Sequence, residues 1–215
     1  GRAFDRLVAD GAACIFEETG ELVGCEAIMA DRAATPELAA AIEACVQKAE
    51  RYYTIMGFGS FAPGNAEGGL TTQEEKSMGA YSKSGSSIID GILKPGDIPP
   101  TGGLYLLDVV PDGEPRFGFP NISDNAEIVE MIACGAHLTL FTTGRGSVVG
   151  SAISPVIKIC ANPDTARRLA ADMDVNASFD EAPSAGIGRD YSTVVEGVVG
   201  GRSEGQVQPT AEVVP

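Results

Sequence analysis

Basic residues are scarce in this 215-residue chain: 15 Lys+Arg stand against 30 Asp+Glu, for a net charge of -15. That balance opposes binding to nucleic acid or to an anionic membrane surface, so an anionic ligand must be drawn in by a few local cations and backbone amides. There is one histidine, His137. It opens an apolar stretch, and one histidine in the whole sequence does not by itself define a site, so it reads as a core or strand-edge residue rather than a catalytic one. No apolar run approaches the roughly 20 residues of a membrane span, no signal-peptide pattern opens the chain, and a cytoplasmic location is expected. The five cysteines (Cys14, Cys25, Cys45, Cys134, Cys160) are odd in number and never form a CxxC pair, which predicts buried free thiols. HExxH, metal-spaced Cys/His clusters, Walker and Rossmann fingerprints and internal repeats are all absent. The sequence opens at Gly1 without methionine and enters a helical pattern at once, as expected of a piece of something longer.

What is present fits a folded protein, with 44% hydrophobic and 21% charged residues. Arg2 to Asp10 reads as a helix, Ala12 to Phe16 as a buried strand, and Glu17-Glu18-Thr19-Gly20-Glu21 as an acidic turn. Apolar residues at three and four spacing predict helices over Leu22 to Ala33 and over Pro36 to about Tyr53, with Pro36 suited to the first helical position. Further strands are expected at Gly103 to Val110, His137 to Thr142 and Val156 to Cys160, and helices at Asn125 to Cys134 and Asp164 to Asp172. Strands alternating with helices predict an α/β fold: an open, mostly parallel sheet flanked by helices, Rossmann-like and three-layered. That domain is placed at residues 1–178, and 179–215 is read as an irregular, loosely ordered or docked tail.

Three segments carry candidate chemistry. In Ala62 to Gly85 a loop with Gly64, Gly68 and Gly69 runs into a helix start where Thr71 and Thr72 each have a glutamate three residues on. Such a junction both caps a helix and favours an anion. Lys76 and Lys83 follow seven residues apart, on one helix face, where each could be a base of lowered pKa, a carboxylate partner or a solvated charge. Loops after strands are where open α/β sheets bind ligands. One such loop, Thr142-Thr143-Gly144-Arg145-Gly146, offers hydroxyls, amides and a guanidinium whose fork fits a carboxylate or pairs with a neighbouring acid. The other is the turn with Glu18 and Glu21.

The ordered blocks PGN, GGL, EEK, KSG, FTTGRG, PVIK and MDVNA, from about Gly11 to Ala177, resemble the C-terminal domain of the altronate hydrolase and D-galactarate dehydratase family. GGLYLLDVVPDGEPRFGFPNISDN looks closer to its (2R)-sulfolactate sulfo-lyase large-subunit branch. The resemblance implies a lyase that eliminates water or sulfite from a 2-hydroxy acid to give a 2-keto acid, dependent on a divalent metal, ferrous iron above all. It carries over Glu18, Glu21, Pro63, Gly64, Asn65, Gly68, Gly69, Glu75, Lys76, Lys83, Thr142, Thr143, Gly144, Arg145, Gly146, Asp174 and Asn176. Arg145 and the loop amides are expected to hold the substrate carboxylate, Lys76 or Lys83 to act as base or anion clamp, and Glu18 to bind metal or move protons. The metal ligands are unassigned, lying partly in the family's preceding domain, which this sequence does not include. Ser178 stands where family members generally have glycine. The expected partners are a small anionic 2-hydroxy acid, the preceding domain or a small subunit, and further copies of the chain; the chain alone is expected to be inactive. Two other readings stand beside this one: a non-catalytic α/β organic-acid-binding or assembly module, and a phosphosugar enzyme, for which neither glycine-rich loop has a phosphate spacing.

Overall fold

The computed structural model describes residues 1–57, 59–61, 63–67, 69–113 and 123–177. The chain divides into two compact units, Gly1–Ala136 and His137–Pro215. The expected tail at 179–215 and Gly68 lie outside the described residues.

In the first unit α1 (Arg2–Ala9) leads into β1 (Ala13–Phe16), a 3-10 turn at Thr19–Glu21, and α2 (Glu26–Ala30). The helix expected over Leu22 to Ala33 is thus only five residues long. Gly24 adopts φ +88, which an α-helix cannot contain, and its amide donates to Glu26 Oε1 at 2.9 Å. Then come α3 (Pro36–Met56), α4 (Pro63–Glu67), α5 (Gln73–Lys83), β2 (Ile89–Leu93), β3 (Gly103–Leu107) and α6 (Asp124–Ala133). Pro36 occupies the first turn of α3, and the Thr35 side chain caps it by accepting from the Leu38 amide. The 21-residue α3 ends at Gly57 in the left-handed region.

The three strands are parallel in the order β1-β3-β2. β2 and β3 are joined by residues 94–102 without a helix. Nine extended residues reach roughly 30 Å, enough to return along a five-residue strand of about 17 Å. Every residue of the central strand β3 is buried, because its two faces are both covered. Leu104 and Leu106 pack with Met29, Ile42 and Val46 of α2 and α3. Tyr105 and Leu107 pack with Cys134 and Met131 at the end of α6. Alternation along the strand thus builds the three expected layers.

The second unit holds β4 (Thr139–Thr143), β5 (Val156–Cys160), α7 (Pro163–Arg168) and β6 (Val175–Asn176), with parallel strands in the order β4-β5-β6. The parallel strands therefore fall into two three-stranded sheets. Asn162 caps α7 by accepting from the amides of Asp164 and Thr165, at 2.9 and 3.3 Å. His137 is exposed ahead of β4 rather than placed in the core. All five cysteines are free and buried, as expected. Among the described residues no helix is long and apolar enough to cross a membrane.

Candidate active site

The acidic turn follows β1 at the carboxyl edge of the first unit's sheet. Thr19, fully buried, donates from Oγ1 to the Leu107 carbonyl at 2.7 Å. That bond ties the turn to the end of the central strand, and it fixes the carboxylates on either side of it.

Both helix lysines reach this turn. Lys83 Nζ pairs with Glu18 Oε1, and Lys76 Nζ lies 2.9 Å from Glu21 Oε2. Seven residues of α5 separate the lysines and three separate the glutamates, so one helix face meets one turn at two points. Lys76 also donates to the Ser60 carbonyl and, at 3.4 Å, to Asn65 Oδ1 of α4. The sequence-predicted residues Glu18, Glu21, Asn65, Lys76 and Lys83 thus form one site.

Two further acids join them. Glu17, beside Glu18, faces Glu127 of α6, whose own carboxyl is raised to about 7 by burial, with Glu18, Asp124 and Glu21 adding to it. Burial first, then the Glu127 charge, pushes Glu17 well above the ordinary carboxylate range. Burial and Glu21 raise Glu18 against the opposing pull of Lys83. For Lys83 burial works to lower the ammonium, but Glu18, Glu21 and Glu17 outweigh it and its pKa rises. Burial therefore dominates the rise on Glu18, whereas the surrounding acids dominate the rise on Lys83. The raised pKa favours the charged form of Lys83, which suits the anion clamp among its expected roles. Glu17 and Glu127 lie within hydrogen-bond reach of each other, and both carboxyls are raised, Glu127 to about 7. Residues 110 positions apart leave no local pattern, and the sequence reading missed both.

The glycine-rich loop differs from expectation. Gly64 is buried within the short helix α4 rather than freeing the backbone, and Gly69 lies exposed in the turn after it. Glu75 is spent on the helix start: its Oε2 accepts from the amide and hydroxyl of Thr71, at 2.7 and 2.6 Å, while Thr72 Oγ1 caps the Glu75 amide. The helix thus supplies its own anion, and its lysines do the outward work. Beside Ser60 opens a cleft of about 200 Å³, lined by Val23, Tyr53, Gln73 and neighbours, which contains neither ion pair.

In the second unit, Thr142 and Thr143 end β4 and the exposed Gly144-Arg145 follows. Thr143 Oγ1 accepts from the Gly146 amide at 2.9 Å. Gly146 has φ +92, and a Cβ there would strike Leu169 and Thr165, so this glycine is required by packing. Among the described residues the guanidinium of Arg145 makes no ion pair with a carboxylate. Asp174 Oδ2 accepts from the Lys158 amide at 2.8 Å and Asn176 pairs with Cys160, so both hold β6 against β5. Among the described residues no three His, Cys, Asp or Glu side chains stand together as a metal would need; the ion-paired Glu18 and Glu21 do not make such a set.

These features define an α/β domain whose strand-end loop gathers acids and lysines at one edge of a parallel sheet. The chain belongs to the D-galactarate/altronate dehydratase family, as its C-terminal domain: that family's model matches residues 1–203. It is 35% identical over 185 residues to (2R)-sulfolactate sulfo-lyase subunit beta of Chromohalobacter salexigens, covering 83% of this chain and 44% of that protein. Altronate dehydratase of Bacillus subtilis is 32% identical over 182 residues, covering 83% and 34%. Galactarate dehydratase (L-threo-forming) of Escherichia coli is 31% identical over 183 residues, covering 82% and 32%. The chain therefore spans less than half the length of these relatives, all of which are lyases by name.

Proposed function

We propose that this chain is the catalytic C-terminal part of a lyase acting on a 2-hydroxy acid. The proton beside the carboxylate leaves to a base, a group departs from the next carbon, and the enol formed collapses to a 2-keto acid. In a sugar acid the departing group is hydroxide, and in sulfolactate it is sulfite. The observation that carries this reading is the meeting of the acidic turn, Asn65 and both α5 lysines at a strand-end edge, where such sheets bind ligands.

Roles follow from the electrostatics. Glu127, raised to about 7 and facing Glu17, suits the base, with Glu17 beside it. Lys83, held as an ammonium beside Glu18, suits the group that protonates departing hydroxide or steadies a developing oxyanion. Lys76, held by Glu21, Ser60 and Asn65, suits an anion clamp. As a separate proposal for the second unit, Arg145 and its loop offer a fork suited to a carboxylate. Dependence of the whole protein on ferrous iron is a separate proposal, with ligands partly in the preceding domain, and no step above is routed through it.

The full-length protein, supplied with ferrous iron, is to be assayed against (2R)-sulfolactate, altronate and galactarate, scoring sulfite separately from 2-keto acid. Keto acid from one of them supports the lyase reading, and sulfite with it marks the sulfo-lyase branch. Binding of these acids without turnover would replace it by an organic-acid-binding module.

A further inference from the structure

A second charged cluster lies on the same strand-end edge of the first unit's sheet, and the proposed elimination does not use it. Lys48 projects from α3, Lys94 directly follows β2, Asp108 directly follows β3, and Asp112 lies four residues on. Lys48 and Lys94 both donate to Asp108 Oδ2, at 2.6 and 2.7 Å, and both to Asp112 Oδ1, each at 2.9 Å. Two ammonium groups thus straddle the same pair of oxygens.

The two carboxylates are not equivalent. The Asp108 side chain is 1% exposed and is further held by the Val110 amide at 3.2 Å and the Cys45 thiol at 3.3 Å. The Asp112 side chain is 79% exposed and engages the lysines through one oxygen. We infer that Lys48 and Lys94 form an oxyanion-binding site whose resting occupant is the Asp112 carboxylate, displaced by a carboxylate or sulfonate group of a small acid.

Three points support this. With Asp112 swung out, two ammonium groups face one buried carboxylate, so the site is left with one positive charge and suits a single anion. Two donors already converge on one oxygen position, and each ammonium has three protons, leaving others for the remaining oxygens of an incoming group. The Asp112 carboxyl is lowered to about 2, first by its Lys48 and Lys94 hydrogen bonds, so the place it fills already favours a charged carboxylate. An exposed pair holds its partner by a factor of at most about five, so exchange is easy. Lys94 stands two strands from the acidic turn in the order β1-β3-β2, roughly 10 Å away. A substrate reaching both carries an anionic group at each end. That extension rests on the proposed elimination, whereas the anion site does not.

The test titrates this chain with sodium sulfate at constant ionic strength, using sodium chloride as the reference, by calorimetry and amide NMR. Wild type is expected to bind sulfate, D112N about three- to fivefold more tightly because the competing carboxylate is gone, and K94Q about three- to fivefold more weakly. Equal binding by all three, or none by D112N, overturns the site. In the full-length lyase K94Q is expected to raise the ratio of KM for a two-anion substrate over a one-anion substrate about three- to fivefold. An unchanged ratio with intact sulfate binding overturns the two-ended substrate alone, and absence of turnover in wild type overturns the elimination reading instead.

Discussion

Replacing Asp108 with asparagine removes one charge and almost no volume from the network at the end of β3. The wild-type carboxylate is 1% exposed and accepts from two ammonium groups, an amide and a thiol. Breaking a buried ion pair costs about 3 to 5 kcal/mol because its partner is left uncompensated. Here the partners are Lys48 and Lys94, whose side chains are 22% and 42% exposed, so water takes up part of the loss. The discounted figure is about 3 kcal/mol, or roughly 6 to 12 °C in Tm for a chain of this size. Urea unfolding with an unchanged m-value checks it, and D112N, at an exposed carboxylate, should barely move the midpoint. A loss under about 1 kcal/mol for D108N, the size of an exposed pair, would refute the claim that this carboxylate organises the strand ends.

Three other outcomes are expected. In the full-length protein R145A should raise KM for the acid substrate about 10- to 100-fold, the worth of a charge-assisted bidentate contact; unaltered kinetics would remove the proposed carboxylate clamp. Glu127 is raised from 4.5 to about 7, chiefly by burial, so between these pH values the folded state keeps a proton that the unfolded chain has released. Stability contributed by this proton is therefore lost as pH rises through the window, and E127Q should gain on wild type from pH 4.5 to 7, measured as a difference in urea midpoints; a gap that narrows with pH would contradict it. The Cys14 and Cys45 thiols, pushed by burial to about 11 and about 12, should resist an aromatic disulfide reagent until urea unfolds the chain; rapid labelling of the native protein at either would contradict their packing.

Local chemistry was legible where it acts within a few residues. Pro36 and Thr72 announce the starts of α3 and α5, and β5 occupies Val156–Cys160 as its apolar run predicts. Lys76 and Lys83 share a helix face by spacing alone, and that face meets the acidic turn. The helical turn at Pro63–Glu67 was hidden because its glycine and proline read as loop formers, and α2 was overdrawn because periodicity ran through the left-handed Gly24. Pairings across long separations had no local signature. Glu17 meets Glu127, and Asp108 draws Lys48 from 60 positions away, only after the strands and helices have packed. The separation into two sheets likewise depends on which strands find each other, not on any one strand's pattern.

In the proposed lyase, the turn and helix gathered at the end of β1 perform the elimination. This is tested most directly by kcat of the full-length protein carrying Glu17→Gln or Lys83→Met, with folding checked by circular dichroism. Proton-transfer and charge-stabilising groups contribute about 10²- to 10⁴-fold, so keto acid formation is expected to fall at least 100-fold in each. Folded variants that turn over within about threefold of wild type would contradict it.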